Sequence, residues 1–278
     1  MRAALALFLI ASGQTSAESA ENGGSAWHVV EPGLELGTFA APTPAAAGDS
    51  LIRVLRIDPR RFELRLLNAS APNQGQRLTA REWSLRNDLV AAINASMYQS
   101  DYRTSVSLMT ASRHTNNPRL SRDKAVLAFD RRDDTVPVAQ IIDRQEQDFE
   151  SLRARYATLV QSIRMVSLTG ANVWSQQPTR WSTSAIGMDR RGRVLFIHVR
   201  SAYSTHDLIN MLLALPIELR NAMYTEGGPE AQLYVRGGET EFEFIGAHDN
   251  PLLDANVNTG AWPVPNVVGV ARITPPAQ

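Results

Sequence analysis

Apolar residues dominate Leu51–Ile57, and apolar and polar positions alternate over Phe62–Leu67, as they do in half-buried strands. Asp58-Pro59-Arg60-Arg61 between them reads as a turn, so the pair is expected to form a hairpin. Thr79-Ala80-Arg81-Glu82 has the spacing of a capping box and predicts a short helix over Ala80–Arg86. Leu89–Ile93 is a compact apolar run that ends at Asn94, as expected of a buried strand. Gln99 to Asp123 is polar and aperiodic, and is expected to be a lid or a surface excursion. Lys124–Asp130 returns to strand character. Phe149, Leu152, Tyr156 and Leu159 recur at helical spacing and predict an amphipathic helix from Asp148 to Val160.

Further on, Ser184–Met188 and Val194–Val199 flank Asp189-Arg190-Arg191-Gly192, a predicted hairpin with glycine placed for positive φ. His198 in its second strand reads as a core histidine. His206–Leu215 is a helix candidate stopped near Pro216. Strands are expected at Met223-Tyr224-Thr225, Leu233–Val235 and Val267–Ile273. No repeat or linker divides the chain. The expected fold is α+β, one domain at 49–278 with a mixed β-sheet and packed helices. Residues 18–48 are expected to form an irregular leader.

Residues 1–17 have the build of a secretory signal: Arg2, an apolar run from Ala3 to Ala11 too short to span a bilayer, and the small residues Thr15-Ser16-Ala17. Export to the periplasm or the extracellular space, with no stable membrane insertion, is the expectation. The 278 residues hold 28 Lys+Arg against 28 Asp+Glu, which argues against a nucleic-acid partner. With no cysteine, disulfides, thiolate metal sites and cysteine nucleophiles are excluded. Of the basic residues only Lys124 is lysine, a bias of composition, so each arginine is weighed by its neighbours. Asp249, Asn250, Asp254 and Asn256 fit no calcium loop, and neither a metal nor a cofactor is implied.

The strongest chemical candidate is Tyr224-Thr225-Glu226-Gly227-Gly228-Pro229-Glu230. The two glycines allow a tight turn and close approach of a ligand. Gly-Gly-Pro forbids a continuous helix between Glu226 and Glu230. The segment is either a turn with exposed acids or a pocket in which two carboxylates converge. Paired carboxylates suit glycosyl transfer, one as acid or base and one stabilising positive charge on the sugar.

Ile93-Asn94-Ala95-Ser96-Met97-Tyr98 is similar to an I-N-A-G-F-F segment. Ser184-Ala185-Ile186-Gly187-Met188-Asp189 with Gly192 is similar to T-A-I-G-x-D-x-x-G. Glu226-Gly227-Gly228 with Leu233-Tyr234-Val235 is similar to D-G-G-G-S-S-T-L-Y-V. In this order, from about Leu89 to Ala271, the chain resembles the phosphodiester glycosidase family, whose bacterial members are often labelled exopolysaccharide-biosynthesis proteins. It departs from that pattern at Glu226 for Asp, Pro229 for the third glycine, and Glu230-Ala231-Gln232 for Ser-Ser-Thr, an E-G-G-P-E-A wording read as a subgroup trait. The family arginine before the hairpin aligns with Thr183, and Arg180 lies three residues earlier.

The resemblance implies an exported hydrolase cleaving a sugar from a phosphodiester or related glycoside, with a place in envelope or exopolysaccharide metabolism. Glu226 and Glu230 would be catalytic. Asn94 and Ser184 would meet substrate, Gly227 and Gly228 would offer backbone N–H groups, and Arg164, Arg180 or Arg200 would neutralise phosphate. The alternative is a non-catalytic carbohydrate-binding or polysaccharide-assembly protein that uses the same cleft.

Overall fold

In a computed structural model of the chain, residues 26–46, 48–247 and 260–273 are described. The signal segment expected at 1–17 and the Asp249–Asn256 stretch lie outside them. The strands are β1 (Trp27–Glu31), β2 (Leu34–Ala40), β3 (Leu51–Ile57), β4 (Phe62–Asn68), β5 (Ala91–Asn94), β6 (Met109–Ala111), β7 (His114–Asn117), β8 (Ala125–Arg131), β9 (Gln140–Asp143), β10 (Tyr156–Ser162), β11 (Arg164–Val166), β12 (Trp181–Asp189), β13 (Val194–Tyr203), β14 (Leu219–Gly227), β15 (Gln232–Gly237), β16 (Thr240–Ile245) and β17 (Asn266–Arg272). Three short helices accompany them: α1 (Ala80–Arg86), α2 (Phe149–Arg153) and α3 (Thr205–Ala214).

The strands form three sheets: β1-β2-β3-β13-β12-β14-β11, β7-β6-β10-β8-β9 and β16-β15-β5-β17-β4. Their ladders among the described residues are antiparallel, so the expected mixed sheet gives way to three antiparallel ones. Helices play a smaller part than expected. The main core lies between the sheets, where Leu55, Ile186 and Phe196 of the first meet Leu127 and Val160 of the second and Ile93, Leu233 and Val268 of the third. The other face of the first sheet is covered by Leu208, Ile209 and Leu212 of α3. Trp83 of α1 closes the back of the third sheet. This layering buries each strand's apolar residues on one or both faces, the main driving force for the fold.

Three sequence expectations are overturned. Within the irregular leader expected at 18–48, residues 27–40 form two strands instead: β1 and β2 pair across Pro32-Gly33, with Gly33 at φ 91°, and β2 also pairs with β3. Leu34 and Leu36 are buried in the main core, which makes this hairpin part of the domain. Next, β3 and β4 are not a hairpin. The Asp58 turn, held by the Asp58 carboxylate accepting from the Arg60 N–H at 3.0 Å, carries the chain from the first sheet to the third. Leu55 and Phe62 then face one core from opposite sides. Finally, the helix expected over Asp148–Val160 stops at Arg153, and Tyr156–Ser162 is a strand. This strand is central in its sheet, pairs with both β8 and β6, and is buried on both faces, so no alternation betrays it. The residues from Gln99 to Asp123 also hold the β6–β7 hairpin rather than one lid.

Other expectations hold. The capping box of α1 is present, with Thr79 accepting from the Glu82 N–H and Glu82 from the Thr79 N–H. The β12–β13 hairpin turns at Gly192, φ 80°. Its anchor is Asp189, whose fully buried carboxylate accepts from the Arg191 and Arg193 N–H groups at 2.9 and 2.8 Å and from Arg193 Nε at 2.6 Å. Asp189→Ala leaves these donors unpaired. It is expected to lower unfolding free energy by about 2–4 kcal/mol in urea titrations, at an unchanged m-value.

Candidate active site

Besides the Asp58 turn, the chain passes from the first sheet to the third between β14 and β15. β14 ends at Gly227, a single 3₁₀ turn runs through Gly228-Pro229-Glu230, and β15 begins at Gln232. Backbone geometry explains the glycines. Gly228 has φ 64°, a left-handed conformation that favours glycine. A Cβ on Gly227 would strike the Tyr224 hydroxyl and lie 2.8 Å from Trp181 Cδ1. The strand register shifts where β14 meets Ser184 and Ala185 of β12. Such bulges re-aim side chains beside functional sites. Here Thr225 turns inward while Tyr224 and Glu226 face a cleft.

Asn94 at the end of β5 ties this crossover down. Its Oδ1 accepts from the Gln232 N–H at 2.8 Å, and its Nδ2 donates to the Glu230 carbonyl at 2.8 Å. The Ser184 hydroxyl lies 3.1 Å from the same Oδ1 and 3.3 Å from the Glu226 carbonyl, and Thr225 Oγ1 donates to it at 2.9 Å. Asn94 and Ser184 are buried beneath the crossover. Their polar groups are engaged within the protein, so they position the turn instead of meeting a ligand as the sequence led one to expect.

Above the turn opens a cleft of about 460 Å³. Its polar floor is Glu226, Gly227, Gly228 and Glu230. Its walls are apolar and aromatic: Met97, Ile163, Trp174, Trp181 and Tyr224. The Trp174 and Tyr224 rings lie 5.6 Å apart. Trp174 is held by α3, whose His206 donates from Nδ1 to the Trp174 carbonyl at 2.6 Å. Aromatic walls around a few polar groups are the usual build of a small-ligand site, and flat rings match the apolar faces of sugars.

The electrostatics are unusual. Burial pushes the Glu226 carboxyl up to about 8, and the nearby charge of Glu230 adds to this. The Gly227 N–H, donating to Glu226 Oε1 at 3.0 Å, opposes the shift but is the weaker effect. That N–H is therefore spent on Glu226 and is not offered to a ligand. At neutral pH Glu226 keeps its proton, as a general acid must. Tyr98 stands over the second carboxylate, its hydroxyl 3.5 Å from Glu230 Oε1. Its phenol is pushed above its ordinary value by burial and by the two glutamates.

None of the three arginines expected at phosphate lines the cleft. Arg164 is committed to Asp143, with Nη1 2.8 Å from both carboxylate oxygens. Arg200 donates from Nη1 to the Ile245 carbonyl at 2.7 Å. Arg180 is exposed, next in sequence to Trp181. Sequence reasoning missed the aromatic walls and Tyr98. Tyr98 and Met97 close the I-N-A-S-M-Y segment, and Tyr224 lies two residues before Glu226, so the motifs themselves carried that signal.

A more capacious hollow of about 710 Å³ lies elsewhere, lined in part by Leu64, Asn68, His114 and Asp130. Its acids are occupied, Glu63 by Arg65 and Asp130 by the Thr158 hydroxyl. It lacks the two free-standing carboxylates and the aromatic walls of the cleft. Among the described residues no group of three or more His, Asp or Glu side chains fits a metal ion.

Two glutamates in an aromatic-walled cleft of a β-rich domain have the build of a small-ligand site. The phosphodiester glycosidase family model matches residues 87–271, and the chain belongs to that family. No curated protein matches it. Among solved structures, it is similar to the zebrafish N-acetylglucosamine-1-phosphodiester alpha-N-acetylglucosaminidase catalytic domain, auto-inhibited by its pro-peptide. That pair has a TM-score of 0.63 at 14% identity, over 88% of this chain and 86% of the other. A hypothetical protein from Synechocystis gives a TM-score of 0.52 at 15% identity, over 86% and 62%. At such identities these likenesses speak for the fold alone.

The raised acid also affects stability. In the unfolded chain Glu226 ionises near its ordinary value of 4.5, while the folded chain keeps the proton up to about pH 8. Stability is therefore lost as pH rises through this window and is level above it. Glu226→Gln abolishes that loss. Relative to wild type, it is expected to gain on the order of 4–5 kcal/mol between pH 4 and pH 8.5, at roughly 1.4 kcal/mol per pKa unit, read by guanidinium unfolding.

Proposed function

We propose that this protein hydrolyses the bond between a sugar and the phosphate of a sugar phosphodiester. The observation that carries the reading is Glu226, a carboxyl that holds its proton at neutral pH in a cleft it shares with Glu230. Glu226 gives that proton to the phosphate oxygen as the C1–O bond breaks. Glu230 stabilises the positive charge that develops on the ring; water then adds to C1 and returns a proton to the Glu226 carboxylate, giving free sugar and a phosphate monoester. The rings of Trp174, Trp181 and Tyr224 hold the sugar and keep bulk water away, which strengthens both electrostatic effects. Asn94 and Ser184 act through the crossover, by fixing where the two carboxylates stand. Membership of the phosphodiester glycosidase family supports the choice of phosphodiester over other glycosides.

Turnover is to be read on a panel of sugar phosphodiesters that includes methyl N-acetylglucosaminyl phosphate. Glu226→Gln is expected to lower kcat by about 10²–10⁴-fold, the usual worth of a general acid. The wild-type kcat/KM is expected to fall above pH 8 as the acid ionises. Wild-type turnover in the variant refutes the role. A cleft that binds the sugar without releasing product is the signature of a carbohydrate-binding protein, a reading the departures Pro229 and Ala231 from the family's glycine and serine favour.

We further propose that the chain is exported to the periplasm or beyond, with residues 1–17 removed, and that it works in envelope or exopolysaccharide metabolism. Mass spectrometry of the protein recovered from outside the cytoplasm is expected to give a mature N-terminus near Glu18. An intact Met1 on that protein contradicts it.

A further inference from the structure

A phosphodiester brings a negative charge to a cleft that already holds two glutamates, and the three arginines expected from sequence are placed elsewhere. The cations that do stand near lie on the far side of Tyr98. Its ring is 5.9 Å from that of Tyr102, and the Arg77 guanidinium sits over the Tyr102 ring at 4.9 Å. Arg77 also acts electrostatically on the Tyr98 hydroxyl, against the two glutamates. Tyr98 thus touches Glu230 of the cleft on one side and Tyr102 on the other, and Tyr102 belongs to a second hollow of about 310 Å³, lined by Arg77 and Arg103 with Asp101, Ala69 and Gly75.

This hollow is suited to an anion carrying an organic group. Arg77 makes no ion pair among the described residues, and Arg103 spends one guanidinium nitrogen on the Ala69 carbonyl at 3.0 Å. The lone acid of the hollow, Asp101, is turned to its own loop. It accepts from the Arg103 and Thr104 N–H groups at 2.9 Å each and from Thr104 Oγ1 at 2.6 Å; its charge acts on Arg103, but it forms no close ion pair with either guanidinium among the described residues. Tyr102 is 53% exposed and adopts φ 55°, a conformation that tyrosine rarely takes. The loop thereby presents a large ring to solvent under a guanidinium that makes no ion pair among the described residues. Arg77 lies before residues 87–271, outside the segment the family pattern covers.

We infer that this hollow is the leaving-group subsite. Arg77 and Arg103 hold the phosphate, and Tyr102 stacks the organic group esterified to it, while the sugar lies across Tyr98 in the aromatic cleft. The assignment rests on the hydrolase reading above and adds where its substrate's anionic half binds. It makes the enzyme selective for phosphodiesters over neutral glycosides through residues outside the catalytic pair.

The test has two arms. In the first, kcat/KM is measured for methyl N-acetylglucosaminyl phosphate and for neutral methyl N-acetylglucosaminide. Arg77→Gln is expected to reduce the preference for the phosphodiester at least 10-fold, mainly through KM, and Tyr102→Ala to reduce it less. A preference unchanged in both variants overturns the subsite. In the second, phenyl phosphate is titrated into wild type and Arg77→Gln and followed by phosphorus NMR. Wild type is expected to bind at least 5-fold more tightly. Equal affinity, or no binding by wild type, overturns the subsite. Absence of turnover together with Arg77-dependent binding of phenyl phosphate refutes the hydrolase and leaves the subsite standing, so the two failures are told apart.

Discussion

One side-chain amide joins the three stretches of chain on which the site depends. Asn94 ends a strand of the third sheet, Ser184 belongs to the first, and Glu230 and Gln232 lie on the path between them. A carboxamide suits this place because it donates and accepts at once, and a buried backbone N–H and C=O both need partners. In a low-dielectric interior such bonds are strong when all are made and costly when one is missing. The crossover therefore has one good conformation, and the two glutamates inherit their positions from it.

That conformation places an ionisable group where water cannot fully solvate it. Keeping Glu226 protonated costs stability at neutral pH, a cost that a surface glutamate would not carry. The compensation lies in the cores on either side of the first sheet, which are apolar and closely filled. Strained or desolvated groups persist where the surrounding structure is over-determined, and this is such a place. The same burial makes the cleft chemically asymmetric. One glutamate is raised by its surroundings, and the other supplies part of the field that raises it.

Charge is distributed with the same economy. Most arginines near the core neutralise particular acids or carbonyls: Arg164 serves Asp143, Arg193 serves Asp189, and Arg200 serves the Ile245 carbonyl. A guanidinium so engaged is a structural brace and has little left for a ligand. Arg77 and Arg103, on loops beside the cleft, keep guanidinium donors that no acid among the described residues takes up. This fits the general rule that rigid elements hold a site and loops address the ligand.

Much of the local structure was legible in sequence. The capping box of α1, the Asp189–Gly192 turn and the strand into Gly227-Gly228 follow from rules of backbone geometry that act over a few residues. The motifs around Asn94, Ser184 and Glu226 were legible for the same reason, and so was the family they point to. Strand partners were not, because pairing depends on which distant chain offers a free edge. β3 and β4 look like a hairpin until β13 and β17 claim them. Tyr156–Ser162 looks helical because both faces are buried and its apolar spacing fits a helix by coincidence. The roles of Asn94, Ser184 and the arginines also waited on the fold. Sequence fixes what a side chain can do chemically, whereas solvent access and neighbours decide whether it meets a ligand, and only packing in three dimensions determines those.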